Sequence, residues 1–157
     1  MFIPKAARLF LMIVVCQLAG LIGSVFTTSN ITSWYQNLTR PSFAPPNWVF
    51  APVWTILFVL MAIALFIAWE NKFKKAKLGL LFFVAQLVLN VFWSFLFFGL
   101  HNPWFALIEI IALLIFIILT TINFWRTNLW AGILMLPYIA WVGFATILNF
   151  AYWRLNS

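Results

Sequence analysis

The chain has 157 residues, of which 66% are hydrophobic and only 7% charged, with a formal net charge of +7. A water-soluble domain carries about a quarter charged residues, so this composition excludes collagen, disorder and an ordinary soluble enzyme and leaves an integral membrane protein. A single cysteine, Cys16, excludes an internal disulfide framework and a multi-cysteine metal site. One histidine, His101, and two acids, Glu70 and Glu109, exclude most hydrolytic metal centres and carboxylate pairs. The positive charge sits at segment ends, which is not a nucleic-acid footprint.

A bilayer core about 30 Å thick needs about 20 apolar residues per helix. Five segments in one domain meet that length, and they predict an all-α bundle of five transmembrane helices: about 9–26, 49–69, 78–99, 104–125 and 130–153. The runs lack the alternation of a transmembrane strand. Lys5 and Arg8 before the first run imitate a signal peptide, but the run is long and no small-x-small cleavage site follows, so it reads as a retained helix. Within it, Ala19 and Gly23, and Gly20 and Ser24, are small-xxx-small pairs that let a second helix approach, in the same chain or another.

The loop from Thr27 to Trp48 is long. The others, Glu70 to Lys77, Leu100 to Pro103 and Arg126 to Leu129, are short and force antiparallel neighbours. Loops of the first kind are functional or disordered. Trp34, Tyr35, Phe43 and Trp48 are not a disordered composition, so this loop is expected to fold back over the bundle. In the last helix Pro137 removes a backbone bond and should bend the helix, freeing a carbonyl near Ile133.

Of ten tryptophans, Trp48, Trp69, Trp104, Trp125, Trp130 and Trp153 flank helices as an interfacial belt. Trp54, Trp93 and Trp141 lie deeper, and two readings of them stand: lipid-facing filler, or the lining of a cavity for a flat aromatic ligand. Gln86, Asn90, Trp93 and Phe97 form one stripe of the third helix, and Trp141, Ala145, Leu148 and Tyr152 one stripe of the fifth. Polar groups in hydrocarbon need internal partners, so both stripes should face inward, as interhelical glue, as a pocket, or as both. Glu109, an acid inside a span, is a functional candidate by position. It either reaches the interface or bonds to Asn90 or an indole N–H. A small-drug antiporter is a further reading, but it does not demand the aromatic loop. Tyr152 and Arg154 close a weak sterol-contact pattern and are read more safely as interfacial anchors. His101 is read as a solvated loop residue.

Trp34-Tyr35, Leu38, Arg40-Pro41-Ser42-Phe43, Pro45-Pro46, Phe50 and Pro52-Val53-Trp54-Thr55 together resemble the loop and second-helix signature of the TspO/MBR family, the tryptophan-rich sensory proteins and translocator proteins. Leu89-Asn90, Trp93-Ser94 and Phe97-Phe98 resemble its third helix. Pro137-Tyr138, Trp141, Phe144-Ala145-Thr146 and Leu148-Asn149 resemble its fifth. The resemblance implies a five-helix bundle, often a homodimer, with a cavity under the first loop lined by Tyr35, Trp54, Phe58, Asn90, Trp93, Trp141 and Ala145. The ligands it implies are porphyrins and other tetrapyrroles, held as ligands and not as cofactors, isoquinoline and benzodiazepine drugs, and, in animal members, sterols, whose contact motif Tyr152 and Arg154 match in form only. Beside a receptor or sensor it implies two alternatives: a light-dependent porphyrin-degrading enzyme acting through Trp54 and Trp141, and a transporter of porphyrin or sterol.

Lys5, Arg8, Lys72, Lys74, Lys75, Lys77 and Arg126 lie on one side of the expected bundle, Arg40 and Arg154 on the other. By the positive-inside rule the N-terminus is cytoplasmic and the long loop outside. Ser33→Cys should therefore react with an impermeant maleimide from outside the cell and Lys74→Cys should not. The reverse pattern would invert the topology.

Overall fold

The computed structural model describes residues 4–157, the side chains of residues 72–76 excepted. The described residues form helices and turns without a strand. Among them five helices are long and apolar enough to cross a membrane: α1 (Lys5–Ile31), α2 (Asn47–Asn71), α3 (Lys77–Gly99), α4 (Pro103–Thr127) and α5 (Leu129–Leu155). The protein is a multi-pass membrane protein, and its five spans are those expected from the sequence.

Three boundaries differ. α1 runs on to Ile31, into the expected loop. Its last turns are polar, but Thr27, Thr28 and Ser29 return their hydroxyls to the carbonyls of Gly23, Ser24 and Val25, so the helix itself satisfies them. Helical backbone also runs from Phe50 to Ser94 without the coil expected at Glu70 to Lys77. Gln86 Nε2 nevertheless lies 3.8 Å from Met61 Sδ across 25 positions, which a straight helix would part by about 37 Å. The run therefore doubles back, and α2 and α3 are separate spans. Lys72, Lys74 and Lys75, counted above for orientation, have side chains outside the described residues. Finally, α5 is broken rather than bent. Helical turns at Leu129–Ile133 and Leu136–Leu155 flank a turn, with Pro137 in the first turn of the second piece, where its missing N–H costs no helical bond.

Helix ends carry their own stops. Asn102 caps α4 by accepting from Phe105 N–H at 3.1 Å, with Pro103 behind it. Asn128 does the same for Trp130 at 2.9 Å. α3 ends in a π-turn, Phe95–Gly99, which sets both Phe97 and Phe98 into the interior. At the end of the bundle opposite the long loop, Lys5 Nζ lies 3.4 Å from Glu70 Oε2 and Arg8 binds the other carboxylate oxygen, tying α1 to α2.

The small residues of α1 serve contacts within the chain. A Cβ at Gly20 would stand 2.6 Å from Phe58 Cε2, and one at Gly23 would stand 3.1 Å from Ser94 Oγ. Phe58 is buried, so a larger side chain at position 20 has to displace its ring. Gly20→Leu should therefore cost about 1–3 kcal/mol by overpacking and lower the melting temperature in detergent. Leu21→Ala, on the exposed side of the same helix, should leave it nearly unchanged.

Candidate functional site

A cavity of about 390 Å³ lies between α1, α2, α3 and α5, beneath the loop that joins α1 to α2. The sequence-expected residues meet there. Tyr35 comes from the loop, Trp54 and Phe58 from α2, Asn90 and Trp93 from α3, and Trp141 and Ala145 from α5, and all of them line the cavity. Helical phase explains the convergence. Trp141, Ala145, Leu148 and Tyr152 recur every three or four residues, so one face of α5 looks inward; Asn90, Trp93 and Phe97 do the same on α3.

The walls are ring-rich. Trp93 stacks on Phe97 with centroids 5.2 Å apart. Trp54 leans on Phe58 at 5.7 Å and meets Tyr138 edge-on at 6.1 Å. Trp141 meets Phe50 edge-on at 5.9 Å. Ala145 is the small residue on this face and leaves space between its larger neighbours.

Beneath and behind the rings, polar groups are paired with one another. Tyr138 donates to Gln86 Oε1 at 2.8 Å and accepts from Asn90 Nδ2 at 2.9 Å. Trp93 Nε1 donates to Asn149 Oδ1 at 2.9 Å, and Asn149 Nδ2 donates to the Pro103 carbonyl at 2.8 Å. The inward stripe read from the sequence is thus both glue and pocket wall. Trp141 Nε1 is buried without a hydrogen-bond partner among the described residues.

The roof is fastened at three places. Tyr152 donates to Tyr35 across 2.7 Å. Burial holds the Tyr35 phenol above its ordinary pKa. Thr39 N–H donates to Asn156 Oδ1 at 2.7 Å, and Asn156 Nδ2 returns a bond to the Thr39 carbonyl at 3.1 Å. Trp34 lies flat on the His101 ring at 4.5 Å, and His101 Nε2 lies 2.8 Å from Asn30 Oδ1. Within the loop, Arg40 braces the turn by donating to Asn47 Oδ1 and the Pro45 carbonyl.

Three sequence readings change. Tyr152 is no interfacial anchor. It is 2% exposed and lines the cavity, because it falls on the inward stripe of α5. Its neighbour Arg154 is exposed, away from the cavity, with its guanidinium 6.0 Å from the Trp153 ring, so the two halves of the sterol pattern face different surroundings. His101 is exposed but not simply solvated; it pins the loop, with a left-handed φ of 52°. Glu109 neither reaches the interface nor bonds to Asn90 or an indole: it is buried, and neither carboxylate oxygen has a partner among the described residues. The Asn90 amide is committed to Tyr138 instead. Sequence reading also missed the α1 wall, where Gln17, Gly20, Ser24, Thr27 and Ile31 line the cavity. The small or polar side chains of Gln17, Gly20, Ser24 and Thr27, at helical spacing in an apolar span, were the available signal.

The profile of the TspO/MBR family matches residues 12–154. The chain belongs to this family. It is 46% identical to the tryptophan-rich protein TspO of Archaeoglobus fulgidus over 88% of its own length and 90% of that protein. It is 43% identical to the TspO of Chlorobaculum tepidum over 94% of the chain and 95% of that protein. Against the translocator protein of Homo sapiens the identity is 33%, over 89% of the chain and 85% of that protein.

In this TspO/MBR chain the Gln86–Tyr138–Asn90 bonds join α3 to α5 where no water competes. Tyr138→Phe would strand the Gln86 oxygen and the Asn90 amide. It should lower stability by about 1–3 kcal/mol, measured by thermal unfolding in detergent.

Proposed function

We propose that the protein is a membrane receptor or sensor that binds porphyrins, protoporphyrin IX and haem-like tetrapyrroles among them, in the cavity under its first loop. The observation that carries this reading is the cavity itself: ring faces from Tyr35, Trp54, Phe58, Trp93 and Trp141 around the small Ala145, with most polar groups already paired inside the wall. Such a site favours a flat, apolar, extended ring system, held by burial and by stacking worth about 0.5–1.5 kcal/mol per aromatic pair beyond area. The names of the relatives, tryptophan-rich sensory protein and translocator protein, agree with a receptor-type role. At about 390 Å³ the cavity is near the lower end of ligand pockets, roughly 300–1,000 Å³. An isoquinoline or benzodiazepine fits within it, and a tetrapyrrole fills it and reaches its open side. In this reading the N-terminus is cytoplasmic, the roofed end faces away from the cytoplasm, and the protein works as a homodimer.

Trp54 and Trp141 both line the cavity, which favours light-dependent porphyrin degradation as the second reading. Loss of porphyrin absorbance under illumination, compared with darkness, separates the two.

Titration of the detergent-solubilised protein with protoporphyrin IX, followed by tryptophan quenching, tests binding. Trp141→Ala should weaken it by more than the stacking contribution, because buried area is lost as well. Ala145→Phe should weaken porphyrin binding about tenfold or more by filling the space and should affect a small isoquinoline less. Arg154→Ala should bind as the parent does. Parent-like porphyrin binding by both Trp141→Ala and Ala145→Phe would place the ligand elsewhere.

A further inference from the structure

The wall of the cavity is unequal. The α3 and α5 sides are closed by rings, and the roof is held by the Tyr35–Tyr152 bond, the paired Thr39–Asn156 bonds and the Trp34–His101 stack. Along the line where α1 meets α2 the wall thins. Leu21 and Thr28 of α1 and Ala51 and Thr55 of α2 line the cavity and are also exposed on the outside of the bundle. Leu21 is 61% exposed. A side chain that borders the cavity and the exterior at once leaves a wall one side chain thick. The surface around this seam is apolar, with Leu18, Ile22 and Val25 on α1 and Ile56 on α2 all exposed, so the seam opens into hydrocarbon and not into water. The hydrogen bond that crosses it joins Gln17 Nε2 to the Thr55 carbonyl at 3.0 Å, at its inner end.

We propose that the ligand enters and leaves sideways, through the seam between α1 and α2 and out of the hydrocarbon of the membrane, while the loop roof stays shut. The proposal rests on the porphyrin-binding reading. It follows from the same facts of packing. Opening the roof means breaking several hydrogen bonds and ring contacts together, with the left-handed His101 among them. Passing the seam means turning aside the flexible side chain of Leu21 and easing α1 away from α2 at Thr55, whose hydroxyl stays bonded to the Ala51 carbonyl of its own helix. A flat amphiphile such as a porphyrin dissolves in the bilayer and meets the seam at the depth where the cavity lies.

The test is stopped-flow binding and release of protoporphyrin IX, followed by porphyrin fluorescence, in lipid nanodiscs. Leu21→Trp and Thr55→Trp narrow the seam from opposite helices, so the loss of one variant to misfolding leaves the other. His101→Gly releases the Trp34 stack and the Asn30 contact at a position whose φ suits glycine, and it touches no residue of the cavity wall. Passage through the seam predicts that either Trp variant slows association as well as dissociation, about tenfold each, and that His101→Gly leaves both rates at parental values. The proposal is overturned if His101→Gly accelerates both rates. It is overturned equally if the Trp variants alter dissociation alone, since the seam would then be an ordinary wall. Absence of saturable porphyrin binding by the parent protein would instead remove the binding reading, and the route with it.

Discussion

A bilayer core offers no water to a polar group, so each buried donor and acceptor must find its partner inside the protein. That constraint fixes how α3, α4 and α5 meet. Gln86 and Asn90 on α3 reach Tyr138 on α5, and Trp93 reaches Asn149 on α5, which in turn holds the first carbonyl of α4. Each bond is worth only about 0.6 kcal/mol on average in a membrane. Their effect lies in direction. An apolar helix slides and rotates against another at little cost, because lipid is as apolar as leucine, whereas a side-chain amide that must reach one hydroxyl sets both depth and rotation. Once α3 and α5 are so set, Trp93, Phe97, Trp141 and Ala145 have no choice but to face the same space.

Close packing of α1 completes the enclosure without filling it. Glycine at positions 20 and 23 brings α1 against Phe58 and Ser94, and the small residues of that face leave the space that larger ones would occupy. The roof is held in another way, by directional bonds and ring stacking outside the hydrocarbon: Tyr35 to Tyr152, Thr39 to Asn156 and Trp34 on His101. The end of the cavity nearest water is therefore fastened, and the side nearest lipid rests on dispersion and one amide bond.

Much of this was legible from residues alone. Apolar runs of the right length give five spans, and the stripes on α3 and α5 give the inward faces. The long aromatic loop and its family pattern give the roof and the positions of Tyr35 and Trp54. What was not legible follows from competition for partners. Glu109 and Asn90 looked like a pair because each needed one; sequence cannot show that Tyr138, 48 residues on, takes the amide. Tyr152 carried two signals, an interfacial tyrosine beside an arginine and the fourth member of an inward stripe, and packing followed the stripe. The end of α1 was missed because Thr27, Thr28 and Ser29 read as loop by composition, although hydroxyls that return to the preceding turn extend a helix as readily as they end one.

The same distribution of polar groups bears on selectivity. A site that hydrogen-bonds its ligand rejects an analogue lacking the matching group by large factors, because its own buried groups are left unpaired. A site that recognises by shape separates ligands by only about 1–3 kcal/mol per methylene. Here Asn90, Trp93 and Asn149 direct their bonds into the wall, and the cavity offers mainly ring faces and methyl groups. Under the proposed function, discrimination falls to thickness and outline: planarity between Trp54 and Trp141, and clearance above Ala145. Tetrapyrroles and smaller aromatic drugs have little hydrogen-bonding pattern in common, but they do share flat aromatic faces. A pocket that keeps its polar groups for its own architecture is therefore suited to admit both, and its specificity is set by the volume at position 145 more than by any single donor.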